Sequence, residues 1–307
     1  MQSNTASAFV EPLERRDFLS CAAASTGLNH VSAGNHTQIT ATVTPKAVKK
    51  TVKKAGTPTA KNLLFFGNSF TLYNNVPDAV AQLAVAAGNP KPNVFMEAVE
   101  GWTLHNHLDK IAADGANNII QNSLPANAQW DQVVIQELST RPLNVNTAPA
   151  NGDVAAFRAD SLALFNLVKA RTPAVKETLT ETWARGAANP MYPAAYTSPS
   201  AMQNDLLANY TAASSEVNAI NGPGTSTVAK TGEAWRAFNF DPTLYNGPDE
   251  YHASPSGSLL EALTVFKTIY NQKAISVPSF KLTTLLNNYG LSPRAFKRLA
   301  TLADKVL

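Results

Sequence analysis

From residue 62 onward, short unbroken apolar runs alternate with segments whose apolar side chains recur every three or four positions. Asn62-Leu63-Leu64-Phe65-Phe66 ends at Gly67 and reads as a strand buried on both faces. From Pro77 to Ala87, Val80, Leu83, Ala84 and Ala87 keep helical spacing; Asn75 can cap this helix, Pro77 suits its first turn and Gly88 can end it. The same reading predicts a strand over Asn93–Val99 and a helix marked by Leu104, Leu108 and Ile111. It then gives a strand over Gln132–Gln136, a helix over Val154–Ala170, a strand over Val175–Trp183 and a helix over Met202–Ile220. A short strand over Thr225–Ala229 follows, and then a helix over Leu259–Tyr270 introduced by Ser254 as cap and Pro255 at its first position. One more helix is expected near Ser292–Val306. Strands alternating with helices imply right-handed crossovers and a parallel sheet covered on both faces. The expected fold is an α/β domain over 61–307, a three-layer α/β/α flavodoxin-like sandwich. Its five parallel strands run in the order 2-1-3-4-5, with functional groups on loops beyond the carboxyl ends of the strands.

The first sixty residues follow a different pattern. Residues 22–60 are rich in Ala, Ser, Thr, Gly, Asn and Lys and nearly lack large apolar side chains, so they cannot bury enough surface to offset ordering entropy. Residues 43–54 alternate small apolar and basic side chains and read as an extended, self-repelling tether. The expected division is a disordered basic leader over 1–60 and a globular domain over 61–307.

Composition narrows the function. The formal charge is only +3, and the leader's seven Lys/Arg against three Asp/Glu carry the excess. The globular part therefore offers no basic stripe, and nucleic acid is not an expected partner. No run reaches the ~18 apolar residues a membrane span needs. Cys21 is the single cysteine, which excludes an intramolecular disulfide and a multi-cysteine zinc site; it reads as a free thiol rather than a lipidated one.

Two places at strand ends carry candidate chemistry. Gly67-Asn68-Ser69-Phe70-Thr71 puts Ser69 on the loop after the first strand, where it is either a turn or capping serine or a nucleophile. Asp249-Glu250-Tyr251-His252 precedes the last long helix. A serine hydroxyl needs a nearby base, and histidine suits that task; the base needs a partner that fixes its tautomer, and Asp249 stands three residues away. Asp241 and Glu250 are alternative acids for that place.

Taken together, a serine after the first strand and a D-x-x-H before a late helix resemble the SGNH (GDSL-like) hydrolases. Gly67-Asn68-Ser69-Phe70-Thr71 is similar to the family's first block, Gly101 to its second-block glycine, and Asp249 and His252 to its last block. Further stretches, V-I-Q-E-x-S, H-x-S-P-x-G, Thr182-Trp183-Ala184 and Gly232-Glu233-Ala234-Trp235, resemble an uncharacterised bacterial branch, so the likeness spans about Lys61 to Asn271. The leader has its own resemblance. Val10 to Ser20, with Arg15-Arg16-Asp17-Phe18-Leu19, looks like a twin-arginine signal and like the E-x-L-E-x-R-x-L-L-S motif of planctomycete surface proteins, which implies export or a surface location.

The hydrolase resemblance implies a serine esterase acting on small acyl esters, with carbohydrate O-acetyl groups as preferred substrates. Lipid or aryl ester hydrolysis by the same residues is one alternative, and a non-catalytic carbohydrate-binding module on the same fold is another. Ser69 would be the nucleophile, His252 the base and Asp249 its orienter, with the backbone N–H groups of Ser69 and Gly101 facing the oxyanion and no cofactor required. The family's third-block asparagine is missing from Ile135-Gln136-Glu137-Leu138-Ser139-Thr140-Arg141. Gln136 carries the same amide donor on a longer arm and is the expected third donor, with Thr140 the alternative; Glu137 is expected to pair with Arg141. A phosphate-binding loop at 67–71 is disfavoured, because the segment lacks the glycine density and lysine of a nucleotide cradle. Trp102, Trp183 and His107 are candidate pocket residues: Trp102 equally reads as packing, His107 on the Leu104/Leu108/Ile111 stripe reads better as a hydrogen-bonded core histidine, and Trp183 with Glu181 either borders the cleft or seals the sheet end. His105 and His107 project about 200° apart on a helix and cannot chelate one ion from the same face.

Overall fold

In the computed structural model, which describes residues 59–306, the apolar runs become five parallel strands: β1 (Asn62–Gly67), β2 (Asn93–Ala98), β3 (Gln132–Ile135), β4 (Lys176–Thr180) and β5 (Ser226–Ala229). They lie side by side in the order β2-β1-β3-β4-β5. In register, Phe65 of β1 sits between Met96 of β2 and Val134 of β3. The leader, with its twin-arginine-like stretch and Cys21, lies outside the described residues except for positions 59 and 60.

The helices are α1 (Val76–Ala86), α2 (Leu104–Asp114), α3 (Val154–Arg171), α4 (Pro199–Asn221), α5 (Thr231–Ala237), α6 (Pro255–Tyr270) and α7 (Pro293–Lys305). One face of the sheet carries α1, α6 and α7 packed on one another, and the other carries α2, α3 and α4. The expected caps are in place: Asn75 Oδ1 accepts from the Asp78 N–H, and Ser254 Oγ from the Gly257 N–H. No helix among the described residues is long and apolar enough to cross a membrane.

The fourth strand is shorter than its apolar pattern predicts. Thr180 pairs with Ala229, the last residue of β5, and on the other side β3 ends at Ile135 opposite Leu179. Beyond Thr180 the chain has no ladder on either side, and residues 181–186 leave the sheet as irregular backbone. The core runs through both layers, and its largest side chains, Trp130, Trp183, Trp235 and Tyr210, are fully buried.

Candidate active site

The carboxyl end of β1 turns into a single helical turn, Ser69–Leu72. Asn68 caps it, its Oδ1 accepting the Phe70 N–H at 3.2 Å. Gly67 is required at the turn because a Cβ there would stand 2.2 Å from Thr71 Oγ1 and 2.9 Å from Gln136 Oε1. The turn is tied down from three sides. Gln136 Oε1 accepts from the Asn68 N–H (3.1 Å) and from Thr71 Oγ1 (3.0 Å). Asn68 Nδ2 donates to the Trp102 carbonyl at 3.1 Å. The Gly67 carbonyl accepts from His107 Nε2 at 2.9 Å.

Opposite this turn stands the loop before α6. His252 Nε2 lies 2.9 Å from Ser69 Oγ, and His252 Nδ1 lies 2.8 Å from Asp249 Oδ2. Nδ1 faces a carboxylate and must carry its proton there, which leaves Nε2 to accept from the serine hydroxyl. The other carboxylate oxygen, Asp249 Oδ1, accepts from the backbone N–H groups of Tyr251 (2.9 Å) and His252 (3.1 Å). Desolvation pulls the Asp249 carboxyl upward, but those two N–H groups and the His252 ring together outweigh it and hold the group below its ordinary value. Asp249 thus stays ionised where the imidazole needs it.

Packing fixes the histidine loop. Trp183 donates from Nε1 to the Tyr251 carbonyl at 2.8 Å and sits in a stack between Phe70 (4.4 Å) and Trp235 (4.2 Å). The Tyr245–Ala253 bridge and the Asn246 N–H to His252 carbonyl bond close the loop's base. The Tyr73 ring rests 4.8 Å from the His252 ring, with its hydroxyl donating to Glu100 Oε1 at 2.7 Å. Tyr73 follows Ser69 by one helical turn, a spacing that could have drawn attention to it.

Gly101, with φ +73°, lies in the loop between β2 and α2, and the Asn68–Trp102 bond brings this loop against the serine turn. Neither the Ser69 nor the Gly101 N–H pairs with an acceptor among the described residues. A cavity of about 280 Å³ is lined by Tyr73, Asn74, Asn246, Ala253 and Pro255, and by none of Ser69, Asp249 or His252. A larger one, about 510 Å³, opens between the starts of α6 and α7 and touches none of Ser69, Asp249 or His252.

Around this site some expectations are corrected and others hold. Gln136 is not a third donor facing the cleft. It is buried, its carbonyl end holds the Asn68–Thr71 turn, and its Nε2 donates to the Glu137 carbonyl. Thr140 lies four residues further on, in a turn closed by the Leu143 N–H to its carbonyl. Glu137 does not pair with Arg141, whose partner is Asp153 at 3.3 Å. Trp183 is fully buried in the stack between Phe70 and Trp235. His107 is likewise core, held by Glu97 Oε1 at 2.9 Å and by the Gly67 carbonyl. Trp102 is half-buried, its ring edge-on to His107. Glu181 is buried and accepts from Gln203 Nε2 at 2.7 Å, away from the cleft. Asp241 caps the turn at Thr243, and Asp249, not Glu250, meets the histidine. His105 turns to Asp160 at 3.3 Å and shares no ligand position with His107. No cluster of three metal-ligating side chains occurs among the described residues.

No family model matches this chain, and no curated protein does. Solved structures do resemble it. A "putative SGNH hydrolase" from Slackia heliotrinireducens is 24% identical, covering 69% of this chain and 100% of its own, with a TM-score of 0.52. A DUF4886 family protein from Bacteroides uniformis is 17% identical over 80% of this chain and 94% of its own, at TM-score 0.55. A lipase/acylhydrolase from Enterococcus faecalis is 16% identical over 69% and 96%, at 0.50. The chain therefore shares the fold of these structures, a parallel five-stranded α/β sheet in the order β2-β1-β3-β4-β5.

Proposed function

We propose that this protein is a serine esterase of the SGNH (GDSL-like) superfamily that removes small acyl groups, with O-acetyl groups on carbohydrate as its substrates. The observation that carries the reading is the unbroken hydrogen-bond relay Ser69 Oγ–His252–Asp249, formed by residues 183 and three positions apart in the chain. In this reading Ser69 Oγ attacks the ester carbonyl while its proton passes to His252 Nε2. Asp249 stabilises the imidazolium through Nδ1–H and keeps its own charge. The tetrahedral oxyanion meets the free N–H groups of Ser69 and Gly101, each such donor being worth about 2.7–4 kcal/mol of barrier. His252 returns the proton to the departing alcohol, and water, activated by the same imidazole, clears the acyl group. The substrate class rests on the SGNH (GDSL-like) resemblance of the Gly67–Thr71, Gly101 and Asp249–His252 stretches.

The test joins labelling to turnover. A fluorophosphonate probe is expected to label the wild type and not Ser69→Ala. Acetylated sugars should be turned over faster than p-nitrophenyl esters of eight or more carbons, about 10³-fold or more above Ser69→Ala. Absence of labelling in folded wild-type protein would refute the enzyme; a preference for long chains would refute the substrate class.

A further inference from the structure

Glu137 takes no direct part in that chemistry, yet it joins the two loops on which the chemistry depends. It follows β3 and is 0% exposed. Its Oε1 accepts both the Leu138 N–H at 2.6 Å and the Leu104 N–H at 3.1 Å, while Oε2 is buried with no hydrogen-bond partner. Leu104 opens α2, and the residues immediately before it, Gly101 to Thr103, form the loop that carries the second oxyanion donor. One carboxylate oxygen therefore ties that loop to the end of β3. The neighbouring Gln136 ties the same strand end to Asn68 and Thr71. Ser69 and Gly101 are thus held in register through two consecutive side chains. A buried carboxylate is costly to keep and an apolar side chain would fill the space, but only an acceptor at this point can hold both N–H groups.

We propose that Glu137 is a positioning residue for the oxyanion donors: its carboxylate fixes the Gly101 loop against the serine turn, and ionisation of that carboxylate tightens the fit. The inference rests on the esterase reading for its effect on rate, though not for the brace itself. Burial, the largest influence, pushes the Glu137 carboxyl up to about 7, against the pull of the Leu138 and Leu104 N–H groups and of Arg141. Asp160 on α3, itself in contact with His105 of α2, adds to the rise, and Tyr210 on α4 also faces the group. Above that pH the Oε1 bonds become charge-assisted, and they lie at the positive end of an 11-residue helix.

Glu137→Gln keeps the shape and one acceptor oxygen but cannot ionise. Turnover of p-nitrophenyl acetate by wild type and variant, from about pH 5.5 to 8.5, should show the wild-type-to-variant kcat ratio climbing about tenfold with KM little changed. A ratio flat with pH overturns the proposal, because a merely structural loss would lower kcat equally throughout. A second readout needs no turnover: the amide signals of Leu104 and Leu138 in ¹H–¹⁵N spectra should titrate together near neutrality in the wild type and not in the variant. Amides that do not move overturn the brace even where esterase activity is normal. Lack of Ser69-dependent turnover in the wild type overturns the esterase reading, and the amide titration then still decides the brace.

Discussion

Replacing Glu177 with glutamine should stabilise the protein at alkaline pH and leave it little changed near pH 5. Glu177 lies in β4, between Val133 of β3 and Ser226 of β5. It is 1% exposed, and neither carboxylate oxygen has a hydrogen bond. Burial, the largest influence, pushes its carboxyl from 4.5 to about 8; the Ser226 hydroxyl lies close enough to offset part of the rise but forms no hydrogen bond with it. Below the unfolded value both states hold the proton and the group is neutral to stability. Between the two values the folded chain keeps a proton that the unfolded chain releases, so stability falls as pH rises, and above about 8 the loss is complete. An interval of about 3.5 units at ~1.36 kcal/mol each sets an upper bound of roughly 5 kcal/mol. Glu181, also pushed to about 8, and Glu261, raised well above its ordinary value, act in the same direction in wild type and variant alike. Urea unfolding of both proteins at pH steps between 5 and 8.5 isolates the one group, because contributions they share cancel in the difference. Any hydrogen bond the glutamine amide gains or lacks beside Ser226 adds only an offset independent of pH. The slope of the difference is the test: a difference that is constant, or that shrinks as pH rises, would refute the argument.

Asp249→Asn should leave the fold intact by circular dichroism and lower kcat by about 10⁴, because an amide facing His252 Nδ1 no longer fixes the required tautomer. Gly67→Ala should destabilise the protein by about 1–3 kcal/mol in thermal or urea melts, the new methyl colliding with Thr71 Oγ1. Thr71→Ala in the same chain should recover part of that loss, and no recovery would show that the strain lies elsewhere.

The alternation of runs and stripes made the α/β class legible, because strand burial and helix spacing are local consequences of side-chain type; the strand order is not local and followed from the flavodoxin-like arrangement expected of such a chain. The meeting of Ser69, Asp249 and His252 was legible for a related reason: the proposed chemistry needs particular residue types at strand ends, and few stand there. The errors share one physical cause. Trp183 read as cleft border or sheet-end seal because type alone does not say that Phe70 and Trp235 lie 4.4 and 4.2 Å from its ring. Gln136 read as a donor to substrate because it has a free-looking amide, whereas its carbonyl end answers a backbone N–H on another strand's turn, 68 residues away. Glu137 read as the partner of the nearest arginine in sequence, yet its strongest ties are to backbone N–H groups, and every segment carries those. Side chains whose task is to satisfy backbone groups have no complementary residue type to betray them. In this site such residues stand directly behind Ser69, so the support of the candidate nucleophile emerges from the folded arrangement while the candidate itself is visible in the sequence.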